Sequence, residues 1–351
     1  MQGFCFYFHI MQKTSIIIAI IVGAVVLIVS YALFSSGTSF TDNKSKDIYI
    51  PSGTNSLESV LTILSDSTIL SKPAIFKLLA AYEDYEDHIQ PGKYTILAGM
   101  STFSILKKLR NGKTDDVKLV INKLRTKENL ASLLGRKLEI DSSSIMNFFN
   151  NPDSVAVLGL DTNNIVTLFI PNTYNIDWTI SVSRFMKRMK IENHKFWNES
   201  RSTKLNNLGL TKEQVYILAS IVEEETNKHD EKPLISSVYL NRLNRNMPLG
   251  ADPTIKYALR DFKIKRLTFA HIRNSSSSPY NTYTNKGLPP GPICTPSSKS
   301  IDGVLNSKST DYIFFCAKAD FSGYHSFATN ETDHFKNARA YQKALDSLRI
   351  H

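Results

Sequence analysis

Three consecutive carboxylates, Glu223, Glu224 and Glu225, close the apolar run 217–222. A carboxyl at such an edge can exchange protons near neutral pH, because desolvation disfavours its charged form and raises its pKa. Asn281 and Tyr283, in a Tyr-Asn-Thr-Tyr run, are side chains compatible with sugar, and a Tyr ring adds a flat apolar face with a polar tip. They can equally serve to pin the loop that carries them. Asp252, before Pro253, reads as a turn or helix-cap residue, with a substrate contact as its other reading. His325 and His334 could be set beside Glu223 as a zinc site, but neither HExxH nor a comparable spacing occurs, so they read as structural or substrate-contact histidines, and no metal and no cofactor is expected.

The helix that must position the carboxylates opens at Thr211-Lys212-Glu213-Gln214, which has the form of a capping box. Taking Val215 as origin, Leu218, Ala219 and Val222 fall within about 60° and define the buried stripe. Glu224 points nearly opposite and is expected to face solvent. Glu223 and Glu225 lie on the two flanks, each about 80° from Val215. Glu225 follows Leu218 and Ile221 on the more apolar flank, so the wheel leans to it as the acid. Glu223, on the side of Tyr216 and Ala219, is either a helper that orients the site or a surface acid in a salt bridge. An acidic helix end is also what an ordinary solvated face looks like, so the rest of the chain has to decide.

The 351 residues allow two or three modest domains, and 42% hydrophobic with 21% charged residues is ordinary for a folded chain. The net charge of +10 suits anionic surfaces such as membranes or cell-wall polymers, while the lack of a dense Lys/Arg run removes nucleic acid as a partner. Three cysteines, Cys5, Cys294 and Cys316, give no disulfide framework, although Cys294 and Cys316 could pair in an exported protein.

Residues 15–34 are uncharged and about as long as the roughly 20 residues needed to cross a bilayer. The run exceeds a signal-peptide core and no A-x-A site follows, so it is expected to stay as an anchor. Lys13 ahead of it argues for a cytoplasmic N-terminus, and Met11 reads as the natural start of translation. The expected organisation is a short N-terminus (1–14), a transmembrane helix (15–35), a polar linker (36–46), a small module (47–120) and a larger body (121–351). Short alternating strand and helix signals make the class α+β rather than one large sheet. Residues 169–174 are expected as a loop, 181–191 as a basic helix, 196–208 as a polar connection and 332–349 as a closing helix. The stretch 275–296 is dense in Pro and Gly, and a loop this stiff is more often functional than a linker.

Taken together, Ala219-Ser220-Ile221-Val222-Glu223-Glu224-Glu225-Thr226, Asp252-Pro253-Thr254, Tyr280-Asn281-Thr282-Tyr283, Gly287-Leu288-Pro289-Pro290-Gly291-Pro292-Ile293 and Gly323-Tyr324-His325-Ser326-Phe327 resemble the endolytic murein transglycosylases, the YceG-like family. Their order and rough spacing match along nearly the whole chain after the anchor. The resemblance implies one span in the inner membrane, an extracytoplasmic body, a LysM-like module in about the first third, and peptidoglycan synthases as neighbours. It implies cleavage of nascent peptidoglycan strands between N-acetylmuramic acid and N-acetylglucosamine, leaving a 1,6-anhydro end. The family's catalytic glutamate falls on Glu225, which agrees with the wheel. As general acid it would protonate the glycosidic oxygen, then as base take the proton of the 6-hydroxyl that attacks C1 of the same sugar.

Three positions depart from the family pattern. Asn172 stands where relatives commonly carry an acid, Gly250 where they often carry Gln, and a Pro-Glu-Gly turn near residue 123 is missing. Two other readings stay open: a muramidase that hydrolyses the same bond with water, and a membrane-anchored glycan-binding scaffold without activity.

Overall fold

The structure, a computed structural model, describes residues 2–41 and 44–347. Met1 and the end of the expected closing helix at Arg349 lie outside the described residues. Helix α1 (Gln2–Phe34) opens the chain. Its stretch Thr14–Tyr31 is the one described helix long and apolar enough to cross a membrane, and none of it is buried in the protein.

The chain divides into two compact units, one reaching to residue 117 and taking in 175–180, the other formed by 118–174 and the chain from 181 on. The first unit holds β1 (Ser45–Ile50), α2 (Leu57–Asp66), α3 (Pro73–Tyr82), β2 (Gly92–Leu97) and α4 (Thr102–Arg110). The two strands pair antiparallel from Ser45 opposite Leu97 to Ile50 opposite Gly92. Period-two alternation sends Ile48, Ile50, Tyr94 and Ile96 to one side, where Val60, Leu64, Phe76 and Leu106 complete a closed core. Ser56 and Ser101 start α2 and α4 by accepting the Ser59 and Ser104 amides.

The expected linker is corrected over residues 36–40, and its last two residues already belong to β1. Gly37 N donates to Met100 O and Ser39 N to Ile69 O, both at 2.8 Å, and Ser36 and Thr38 form bridges with Ser101 and Leu70. Thr38 and Phe40 are buried. The polar composition that reads as solvated chain here belongs to an extended segment whose backbone is satisfied by its neighbours. Gly37 is required, since a Cβ would overlap the Thr102 backbone.

The second unit is mostly helical. It takes in β3 (Val117–Ile121) after its first residue, α5 (Lys127–Lys137), α6 (Ser142–Asn150), α7 (Pro152–Ala156) and the first three residues of β4 (Asn172–Ile176), and β3 pairs with β4. The segment expected as a loop at 169–174 thus runs into a strand. Helices α8 (Val182–Phe196) and α9 (Glu199–Leu208) follow. Helix α9 replaces the expected polar connection; Asn198 caps it and Gly209 ends it at φ 63°, yet no residue in it is fully buried, so no apolar stripe marks it.

Next come α10 (Lys212–Glu225), α11 (Lys232–Asn244), α12 (Asp252–Ala258), α13 (Phe269–Asn274), α14 (Ser298–Leu305), β5 (Phe314–Ala317), β6 (His325–Ala328) and α15 (Glu331–Ser347). The Thr211–Gln214 capping box is present. Helix α10 is the axis of this unit, with every residue from Val215 to Val222 buried. A helix apolar on all sides is core rather than surface. Around it pack Ile235 and Tyr239 of α11, Ile301 and Val304 of α14, and Ile293 of the Pro/Gly-rich loop. That loop is tied on by Ile293 N, which donates to Ser220 Oγ at 3.0 Å. Cys294 is buried there, and both Cys294 and Cys316 are free thiols, so the pairing considered from sequence does not occur.

Candidate active site

The last turn of α10 delivers three adjacent carboxylates to three different surroundings. Glu223 meets Lys232 Nζ at 3.0 Å and Ser297 Oγ at 2.7 Å, and also accepts from the Ser300 hydroxyl. Burial works against its charge, but Ser300, Ser297 and Lys232 outweigh it and hold its pKa below the usual carboxylate value. Glu224, expected in solvent, is instead clamped by Lys123 Nζ at 2.9 Å and by Arg125, whose Nη2 lies at 3.1 Å. Its pKa is lowered too, with burial again opposed by Arg125 and Lys123. The correction follows from the burial of α10: a helix enclosed on every side has no solvent face for Glu224 to take.

Glu225 is different. It is half-buried, and no cation forms an ion pair with it among the described residues. Burial raises its pKa to about 7, the Tyr239 hydroxyl partly offsets this, and the nearby charge of Asp252 adds to it. Tyr239 Oη donates to Glu225 Oε1 at 2.5 Å. This carboxyl can therefore carry a proton at neutral pH and give it up, which neither neighbour can do.

Glu225 lies in a cleft of about 540 Å³ walled by Tyr239 and Arg242 of α11, the 247–250 turn, Asp252, Tyr283, strand β5, His325 and His334. Arg242 braces the wall, donating to Ile313 O at 2.6 Å and Leu249 O at 2.7 Å. Gly250 sits at φ 59°, in the left-handed region, with Arg242 Nη1 against the place of a Cβ; a Gln would be strained there. Gly250 N donates to Thr282 O, and Ala251 N to Thr282 Oγ1, so the Asp252 and Tyr283 blocks are joined through Thr282. Tyr283 Oη donates to Asp252 Oδ1, which places both on the same wall.

Of the residues singled out from sequence, Glu225, Asp252, Tyr283 and His325 come together in this cleft. Glu223 and Asn281 do not: Glu223 is the salt-bridged acid of its second reading, though not at the surface, and Asn281 pins its loop. Glu223 is spent on α11 and α14. Asn281 is fully buried; its amide donates to Ile272 O and Ser275 Oγ, and its carbonyl accepts the amides of Tyr283 and Thr284. It shapes the loop. His325 Nδ1 lies 2.8 Å from Glu231 Oε2. Neither the bond of Tyr239 to Glu225 nor the places of Arg242 and Glu231 can be read from the sequence. Among the described residues no group of three or more His, Cys, Asp or Glu is placed to hold a metal.

Comparison with known proteins places the chain in a family. The family model of the YceG-like family matches residues 48–340. An endolytic murein transglycosylase of Streptococcus pneumoniae is 28% identical over 316 residues, covering 82% of this chain and 57% of that protein. The chain thus spans little more than half the length of that relative. One of Bacillus subtilis is 27% identical over 311 residues, covering 84% of each. The crystal structure of a YceG-like protein from Listeria monocytogenes superposes with a TM-score of 0.56 at 26% identity, over 84% of this chain and 98% of that one.

Proposed function

We propose that this chain, which belongs to the YceG-like family, cuts peptidoglycan glycan strands internally as a lytic transglycosylase, with Glu225 as acid and base. The observation that carries this is the contrast at the end of α10: two carboxylates neutralised by cations, and one half-buried in a cleft with a pKa raised to about 7. The protonated carboxyl gives its proton to the glycosidic oxygen between N-acetylmuramic acid and N-acetylglucosamine as positive charge develops at C1. The carboxylate left behind takes the proton of the 6-hydroxyl of the same muramic acid, and that oxygen closes on C1 to give the 1,6-anhydro ring. The Tyr239 hydroxyl steadies the ionised form between the two steps. Asp252 and Tyr283, and His325 opposite, are proposed to contact sugar.

Asp252 supports a second reading. A carboxylate sharing the cleft with the acid could serve water as a base and turn the reaction into hydrolysis. Its acceptance of the Tyr283 proton favours the first reading, because that bond occupies one of its oxygens.

The same proposal makes α1 a single-pass anchor in the cytoplasmic membrane with the body on its outer side, near the synthases that make the strands. It reads the β1-α2-α3-β2 arrangement of the first unit as a LysM-like glycan-binding module. The test is digestion of purified glycan by the full chain and by Glu225→Gln, with the ends weighed by mass spectrometry. Anhydro ends from the wild type alone support the proposal. Reducing ends, one water heavier, would move the assignment to hydrolysis, and binding without cleavage by both proteins would leave only a scaffold.

A further inference from the structure

One buried carboxylate apart from Glu225 has geometry that a structural ion pair does not require. Glu231 is 3% exposed, just ahead of α11. Its Oε1 accepts the backbone N–H of His325 at 2.6 Å. Its Oε2 faces His325 Nδ1 at 2.8 Å and accepts the Thr226 hydroxyl at 3.1 Å. Thr226 directly follows Glu225 and is the C-cap of α10. A single carboxylate therefore fastens the strand that carries His325 to the turn that carries Glu225.

This fixes the chemistry of the imidazole. Both oxygens of Glu231 already accept, one from the His325 amide and one from the Thr226 hydroxyl, so the nitrogen facing them, Nδ1, is the donor. His325 lines the cleft, and Phe315 packs edge-on against its ring at 5.3 Å. With Nδ1 turned to Glu231, Nε2 is the ring nitrogen that remains for the cleft. We propose that Glu231 is a positioning residue: it holds His325 with Nδ1–H inward, so that Nε2 presents a hydrogen-bond acceptor to a hydroxyl or amide N–H of the bound sugar. The role in turnover rests on the glycan-cleaving reading above; the tautomer does not.

Glu231→Gln keeps the shape but puts one acceptor and one NH₂ donor where two acceptors stood. With the acceptor on the His325 amide, the NH₂ faces Nδ1 and drives the proton to Nε2. In the detergent-solubilised full chain with isotope-labelled histidine, ring-nitrogen spectra are expected to show His325 as the Nδ1–H form in the wild type and Nε2–H in Glu231→Gln. His325→Gln identifies the signal. On glycan, Glu231→Gln is expected to lower kcat/KM about tenfold, the effect of losing one aimed hydrogen bond, and to add little in the double variant with His325→Gln. An Nε2–H form in the wild type, or full additivity of the two losses, would overturn the proposal. If the wild type cuts no glycan yet shows the predicted tautomer, the functional reading fails and the positioning geometry stands.

Discussion

The two flanks of the last turn of α10 bury the same chemical group to opposite ends. On one flank Glu223 meets a lysine whose side chain is 2% exposed and two serine hydroxyls, and it is held ionised. On the other, Glu225 meets a tyrosine and a cleft, and it is held near neutrality. Burial alone does not decide what a carboxyl does; the donors it meets do, hydroxyls and a lysine for Glu223 against a single phenol for Glu225. The two flanks also answer pH in opposite senses. Glu225, raised from 4.5 to about 7, favours the fold fully below 4.5, and that contribution is lost as pH rises through 7. Glu223, lowered from 4.5, stabilises above 4.5 and loses that as pH falls through its lower folded value.

The largest effect expected from breaking this contrast is on turnover. Glu225→Gln should cost about 10²–10⁴ in rate, the usual share of acid–base assistance, while melting temperature at pH 8 rises above that of the wild type, where the buried charge is a burden. Undiminished cleavage would end the case for Glu225. Next in size is Lys232→Met, which strands Glu223 without its cation and should destabilise the fold by about 3 kcal/mol in urea titrations. A loss under about 1 kcal/mol would mean that the ionic flank is no firmer than a surface pair.

Tyr239→Phe sharpens the other side. Losing its hydrogen bond raises the Glu225 pKa further, so the alkaline limb of the rate profile should move up by about half to one pH unit; a downward shift would contradict the assigned donor. The smallest effect belongs to Lys123→Ala. Lys123 is 36% exposed and Glu224 keeps Arg125, so chemical denaturation should register less than about 1 kcal/mol.

Periodicity and the capping box are enough to read α10 and to lean to Glu225 over Glu223, because both depend on residues within one helix. Glu224 is misplaced by the same method. A wheel assigns faces relative to one stripe, and it has no knowledge that Lys123 and Arg125 return to the helix end from 99 or more residues upstream. Glu231 is invisible for a like reason, since its partner His325 lies 94 residues downstream. Helix α9 escapes because it buries too little to print a pattern, and the segment after α1 because serine and threonine read the same in a loop as in a docked strand.

That segment has a mechanical consequence. A free chain of ten residues spreads over about 16–19 Å and would let a domain swing independently of its anchor. Here Gly37 is already bonded to the first unit three residues past the end of α1. In the anchored arrangement proposed above, helix and first unit turn and tilt as one shaft. Two residues added within α1 would raise that unit by about 3 Å and rotate it by about 200° about the helix axis. Its bearing toward the membrane plane is therefore encoded in helix length, residue by residue, and not left to a tether.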